Sequence, residues 1–170
     1  VHSPAVSTLS VVVPVFNEER TLERLLGRVA TAPLPATIRS VELVVVDDGS
    51  KDATAAIVEA NPYPWARLLR QPRNMGKAAA LNRGLAESKH DYVITLDADS
   101  FLFGDALARL VERYFSDPSS TRAVAGTMLV RNSRKNWVTR AQEWDYFHGI
   151  AAIKRVQSLF QGTMVAQGAF

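Results

Sequence analysis

The apolar positions of this chain follow two periods that alternate along its length. Leu9 to Phe16, "LSVVVPVF", is a continuous apolar run of strand length, and Val41 to Asp48, "VELVVVDD", is a second, Val-rich one. Runs of this kind suit strands buried on both faces. Trp65 to Leu69, Tyr92 to Leu96 and Ala123 to Val130 are further strand candidates. Between them the spacing changes to three and four residues, with Leu22, Leu25, Leu26 and Val29 on one helical stripe and Leu107, Leu110, Val111 and Tyr114 on another. Strand starts recur roughly every 25 to 30 residues, which predicts βαβ units and an α/β fold with a mainly parallel sheet flanked by helices.

"APLPA" at 32–36 and "NPYPW" at 61–65 each separate a helical pattern from the next strand, so they are proline-punctuated connections within one domain. The last fifty residues differ. From Trp137 to about Phe160 the pattern predicts one or two amphipathic helices, with Trp137, Ala141, Trp144, Phe147 and Ala151 on one stripe. An aromatic stripe of this kind is expected to pack as core, the other roles being sugar stacking or membrane contact.

Composition narrows the class without choosing a function. The 170 residues are 47% hydrophobic and 22% charged, ordinary for one soluble globular domain, and contain no cysteine, which excludes disulfide frameworks and cysteine metal clusters. The net charge of +3 hides an asymmetry. Residues 1–120 carry 13 basic and 15 acidic side chains, and residues 121–170 carry seven and two. That basic tail is expected to be a solvated face, although anionic lipid or a polyanion would also suit it. No window approaches the roughly 18 apolar residues of a membrane span, and no secretory signal opens the chain. It starts at "VHSP" and stops at "QGAF" inside an apolar stretch, so a piece of a longer protein is expected.

The polar residues worth following stand at the ends of the strand candidates. Ligands of open parallel sheets bind beyond the carboxyl ends of the strands. Asn17 and Glu18 follow the first run, Asp47 and Asp48 end the second, and Asp97 and Asp99 follow Tyr92 to Leu96. A single Asp in such a place is ordinarily a cap or turn residue. Several acids on one sheet edge repel one another unless a cation or hydrogen-bond donors compensate, which favours a metal or polar-ligand site. In a turn, both acids of a D-x-D can approach one ion. Mg²⁺ or Mn²⁺ fits such oxygen ligands and commonly shares its coordination with a substrate diphosphate.

"RNMGKAAALNRGL" at 73–85 supplies the opposite charge, with Arg73 and Lys77 flanking Gly76 at the expected start of a helix. It has the character of an anion-facing loop but is not a Walker A sequence, because Gln71 stands where Gly is needed and Ala78 follows the Lys. In "DDGSKDAT", Gly49 suits a positive φ, and Ser50 or Asp52 can cap the helix carrying Ala55, Ala56 and Ile57. Such a short loop leaves acids free for a heterocycle N–H and a ribose. His2, His90 and His148 show no ligand spacing and no G-x-S-x-G elbow occurs, so neither zinc chemistry nor a serine hydrolase gains support.

"VVVPVFNEE", "VVVDDGSKDAT", "RNMGKAAALNRGL" and "YVITLDADS", in this order over residues 9–130, resemble the nucleotide-sugar half of family 2 glycosyltransferases with the GT-A fold. The stretch from Arg140 to Phe170 is similar to the membrane polysaccharide synthases of that family, of the hyaluronan, chitin, cellulose and poly-N-acetylglucosamine type. The resemblance implies one truncated GT-A domain over 1–170, with a nucleotide-sugar-binding core at 9–130 and the start of an acceptor-side helical segment at 131–170. It implies a metal-dependent inverting transfer from a UDP-sugar donor to a glycan acceptor, with Mg²⁺ or Mn²⁺ as cofactor and no nucleic acid. The backbone at Pro14 and Val15, with Glu18 and Asp48, would hold uridine, and Asp47 would belong to the same substrate-binding set. Asp97 would lie near ribose and diphosphate, Asp99 with Asp97 would bind the metal, and Lys77 would meet the nucleotide or diphosphate.

That family's catalytic base lies in a Glu-Asp motif downstream of its Gly-Ala-Phe segment, where this chain stops. No Glu-Asp pair occurs in the 170 residues, and Glu143 and Asp145 have the pattern of helix-surface acids. The expectation is donor binding with weak or absent transfer. The longer protein would sit at the cytoplasmic face of a membrane through segments outside this chain. Two rival readings remain: a haloacid-dehalogenase-type phosphatase, suggested by "VITLDADS", and a non-catalytic nucleotide-sugar-binding module. In the phosphatases the D-x-D comes first and a Lys follows it, whereas here Lys77 precedes it.

Overall fold

A computed structural model of the chain describes residues 7–126, 129–130 and 132–159, which fall into two compact units dividing at Arg122. The first unit is the α/β body. Its strands are β1 (Ser7–Val15), β2 (Ile38–Asp47), β3 (Ala66–Arg70) and β4 (Tyr92–Thr95), and its helices are α1 (Leu22–Thr31), α2 (Thr54–Glu59), α3 (Lys77–Glu87) and α4 (Ala106–Ser116). The sheet order is β3-β2-β1-β4 and every pairing is parallel. The chain builds outward from β1 through β2 to β3, and α3 then carries it back across the sheet to β4 on the other side of β1. The strand order therefore reverses between β1 and β4, and a crevice opens at the carboxyl ends of those two strands.

Each β1 and β2 residue serves one of two cores, because strand side chains alternate. Leu9, Val11, Val13, Leu43 and Val45 pack with the α1 stripe Leu22, Leu25, Leu26 and Val29, and with Leu107 and Val111 of α4. On the other face Val12, Val44 and Val46 meet Ala80 of α3. α3 lies close to the sheet because of Gly84, where an added Cβ would stand 2.4 Å from the Val12 side chain. α1 ends at Thr31, and Pro33 and Pro35 follow in the connection to β2.

Pro14 sits inside the central strand without loss. Val12 accepts from Leu96 N on the β4 side and Val15 accepts from Asp48 N on the β2 side, so Pro14 faces β4. The β4 ladder stops at the pair Val12 and Thr95, where no N–H is needed from residue 14.

One strand candidate is not realised in its described residues. Residues 123–126 and 129–130 form no strand, and 127–128 lie outside the described residues. A β-prone run becomes a strand only where an edge accepts its hydrogen bonds, and the described residues of this one form no ladder. β3 itself begins at Ala66, one residue later than expected.

In the second unit, α5 (Trp137–Tyr146), a π-helical stretch (Phe147–Ile153) and α6 (Lys154–Leu159) follow one another. Asn136 and Thr139 close a reciprocal capping box, with Asn136 Oδ1 accepting from Thr139 N at 2.9 Å and Thr139 Oγ1 from Asn136 N at 3.2 Å. The aromatic stripe is not core: Trp137 is 80% exposed, and Trp144 and Phe147 are exposed with it. An aromatic stripe becomes core only where another layer covers it, and these side chains are open. The Ala151 side chain lies outside the described residues, as do residues 160–170. Among the described residues no helix is long and apolar enough to cross a membrane.

Candidate functional site

The loops after β1 and β2 are bound to each other by their own polar side chains. Asn17 takes a left-handed conformation at φ 56°. Its N–H donates to Ser50 Oγ at 2.9 Å, and its Oδ1 accepts from Lys51 N at 2.9 Å. Glu18 N donates to Thr54 Oγ1 at 2.8 Å, and Glu19 N to Asp52 Oδ2 at 3.2 Å, while Glu19 Oε2 accepts from Ala53 N at 3.1 Å. Asp52 therefore serves the start of α2 by accepting from Thr54 N at 3.0 Å, whereas Ser50 is taken up by Asn17. Burial would raise the Asp52 carboxyl, but hydrogen bonds from the Thr54 hydroxyl and from the Thr54 and Glu19 amides outweigh it and hold it below the ordinary carboxylate value. Much of the polarity of "FNEE" and "DDGSKDAT" thus holds the loops together.

The neighbouring acids Asp47 and Asp48 part company. Asp47 Oδ1 turns back to accept from Ser50 N at 2.9 Å, an Asx turn that shapes the Gly49 bend, and its carbonyl accepts from Gln71 N at 2.8 Å. Gly49 adopts φ +76°, and a Cβ there would meet the Arg73 and Asn74 backbone at 2.7–2.8 Å, so only glycine allows the two loops to close up. Asp48 is buried at 3% exposure. Its Oδ1 accepts from Gln71 Nε2 at 2.9 Å and Met75 N at 2.7 Å, and its Oδ2 from Gly76 N at 2.8 Å. These bonds seat the loop that leads into α3 and fix where Lys77, the first residue of that helix, begins. A carboxylate offers about four acceptor positions, so one on Asp48 remains for a ligand donor.

β4 ends at Thr95, and Asp97 to Ser100 form the anticipated turn, closed by Ser100 N donating to Asp97 O at 3.0 Å. Asp97 does not stand open. Lys77 Nζ lies 2.6 Å from its Oδ1 and 2.8 Å from its Oδ2. Asp99 is exposed.

Pro14, Val15, Glu18, Asp48, Lys77, Asp97 and Asp99 line one cleft of about 320 Å³, at the strand-order reversal between β1 and β4. Asp47 is the exception among the sequence-picked residues: it lines a second cleft of about 840 Å³ with Ser50, Arg70 and Arg73. Phe16 borders both clefts and is 41% exposed. It was absent from the sequence candidates, although an aromatic at the carboxyl end of a buried strand, just before a left-handed Asn, was a usable signal.

Among the described residues no group of three or more His, Asp and Glu side chains is placed to hold an ion. The D-x-D turn offers carboxylate oxygens only. That donor set suits a hard divalent cation whose shell is completed by water and substrate oxygens.

Against known proteins, the family described as Glycosyl transferase family 2 matches residues 10–170. The poly-beta-1,6-N-acetyl-D-glucosamine synthase of Staphylococcus aureus (strain COL) is 33% identical over 159 residues, covering 91% of this chain and 36% of that protein. The enzyme of the same name from Staphylococcus epidermidis is 31% identical over 166 residues, covering 97% and 39%. The chain thus spans a little over a third of the length of the curated relatives it matches. Among solved structures, the mannosyltransferase PcManGT of Pyrobaculum calidifontis in complex with GDP-Man and Mn²⁺ superposes with a TM-score of 0.57 at 31% identity, covering 66% of this chain and 33% of that one. S. aureus TarS 1-349 in complex with UDP-GlcNAc gives 0.53 at 26% identity, covering 72% and 38%.

Proposed function

The chain belongs to glycosyl transferase family 2 and its α/β body has the GT-A type of fold, and from that premise we propose that the cleft between β1 and β4 binds a UDP-sugar with Mg²⁺ or Mn²⁺. The observation that carries this reading is the meeting of the D-x-D turn, Lys77 and Asp48, with a single donor on its Oδ2, in one cleft at the strand-order reversal. The spare acceptor of Asp48 takes the base N–H, the exposed face of Phe16 gives the base an apolar surface to stack on, and Pro14 and Val15 present backbone to the nucleoside. Glu18 borders the nucleoside end. Lys77 neutralises diphosphate charge, and Asp97 and Asp99 hold the cation.

When bound, that cation stabilises the negative charge that develops on the departing diphosphate. The chain's own part is to orient the donor against the rigid ends of β1 and β4. UDP-N-acetylglucosamine is the donor to test first, given what the Staphylococcus relatives make and what TarS holds. The GDP-Man of PcManGT makes GDP-sugars the second.

Transfer also requires a carboxylate base for the acceptor hydroxyl. The 170 residues hold no Glu-Asp pair, and Glu143 and Asp145 lie exposed on α5. Residues 9–130 are proposed as the donor-binding part of a single GT-A domain and 131–170 as the start of an acceptor-side segment, with weak or no turnover by the 170 residues alone. In a longer protein this domain would face the cytoplasm at a membrane and elongate a glycan. Calorimetry with UDP-, GDP- and ADP-sugars, with and without Mn²⁺, on the native chain and on Asp99→Ala, tests the reading. Metal-dependent UDP-sugar binding lost in Asp99→Ala is expected, whereas affinity indifferent to both metal and Asp99 would overturn it.

A further inference from the structure

Both oxygens of Asp97 are spanned by one ammonium, Lys77 Nζ, at 2.6 and 2.8 Å. A divalent cation bound to either oxygen would stand about 2 Å from it, hard against that positive charge. Lys77 and the cation therefore compete for Asp97. The competition is reversible by construction: the Lys77 side chain is 52% exposed, so its ion pair is solvent-screened and readily exchanged. The pair is also well placed for exchange. The backbone at Met75 and Gly76 is clamped by Asp48, so the start of α3 stays fixed while the four-carbon Lys stem swings its charge within the same cleft.

We propose that Lys77 is a stand-in cation that blocks metal at Asp97 until a nucleotide diphosphate draws it away, so that metal and nucleotide bind as a coupled pair. In the nucleotide-free state the ammonium balances Asp97 and keeps the D-x-D turn from repelling itself. A diphosphate entering the cleft offers a denser negative charge, Lys77 moves to it, and the released carboxylate joins Asp99 in receiving the cation. Metal without nucleotide meets an occupied ligand. By linkage, the diphosphate must then raise the affinity for metal by the same factor as metal raises the affinity for diphosphate. The inference rests on the donor-binding reading above and adds an order to it.

The test is Mn²⁺ binding followed by the electron paramagnetic resonance of the free ion, with UDP absent and then saturating. In the native chain, UDP is expected to tighten Mn²⁺ binding by about tenfold or more. Lys77→Met is expected to bind Mn²⁺ alone about tenfold tighter than the native chain and to be tightened less by UDP, the remaining coupling being the diphosphate's own contact with the ion. Lys77→Arg, which keeps the charge at Asp97, should stay near the native value for Mn²⁺ alone, and thermal melting checks that both variants fold. Unchanged or weaker Mn²⁺ binding by Lys77→Met without UDP overturns the proposal. If that happens while Asp99→Ala still abolishes Mn²⁺-dependent UDP binding, the donor site stands and only the stand-in role falls. If Asp99→Ala also changes nothing, the donor-site reading falls with it.

Discussion

The two ends of α3 are each stapled by a buried carboxylate, one within β2 and one just beyond it, yet the staples are built differently. Beyond its C-terminal end, Glu42 Oε1 accepts from Ser10 Oγ at 2.6 Å and Lys89 N at 2.7 Å, with His90 Nδ1 at 3.1 Å, and its Oε2 accepts from Arg67 Nε at 3.1 Å. Arg67 also reaches the Glu87 carbonyl and carboxylate. Before its N-terminal end, Asp48 has three neutral donors and no cation. Glu42 has a guanidinium among its four partners, whereas Asp48, which lines the cleft, has only neutral donors and a single one on Oδ2. A buried carboxylate neutralised by its own cation holds structure; one that lines a cleft with only neutral donors can also hold a ligand. Their electrostatics differ accordingly. Burial by itself would raise the Glu42 carboxyl, but hydrogen bonds from Ser10, Lys89 N, His90 and Arg67 outweigh it and bring it down to about 2.

The sharpest way to break the comparison is Glu42→Ala, which leaves the Ser10 hydroxyl and the Lys89 amide without their acceptor and Arg67 with Glu87 alone. It is expected to cost about 3 kcal/mol in urea denaturation while the surviving folded protein binds UDP as before. Acid should reproduce part of this loss. Because the folded carboxyl lies below its unfolded value, its contribution is fully present above about pH 4.5 and disappears as pH falls towards 2. Its size is about 3 kcal/mol, and denaturation midpoints at pH 6 and pH 3 should lose that slope in Glu42→Gln.

At the other staple, Asp48→Ala frees the Gln71 amide and two backbone N–H groups, for a smaller loss of about 2 kcal/mol. Here nucleotide affinity must fall as well, and calorimetry finding it intact would erase the distinction between the two carboxylates. Ser10→Ala removes one donor to Glu42 and should cost about 1 kcal/mol, leaving binding untouched.

How much of this was legible in the sequence varied with the range of the interaction. β1 and β2 were plain because a strand buried on both faces admits almost no polar residue, and α1 and α4 because an apolar stripe at helical spacing has few other uses. The run from Ala123 to Val130 had the same local character but found no ladder. Gly49 announced its bend because positive φ is a property of the residue itself. Glu42 gave no signal, since one polar position in a strand reads as a solvent-facing alternation, and its partners come from β1, β3 and the turn before β4. Asp47 and Asp48 were indistinguishable as neighbours. Only the fold sent one into its own turn and the other under α3.

The residues by themselves determined the α/β alternation, the placing of acids at strand ends, and the cation that precedes the D-x-D, because each depends on side-chain period or on chemistry within a few positions. Tertiary structure decided which acid carries its own cation, which lines the cleft on neutral donors alone, that Phe16 borders the cleft, and that Lys77 sits on Asp97. Those outcomes depend on which donors from distant segments arrive first at a given oxygen, and spacing along a chain does not encode that.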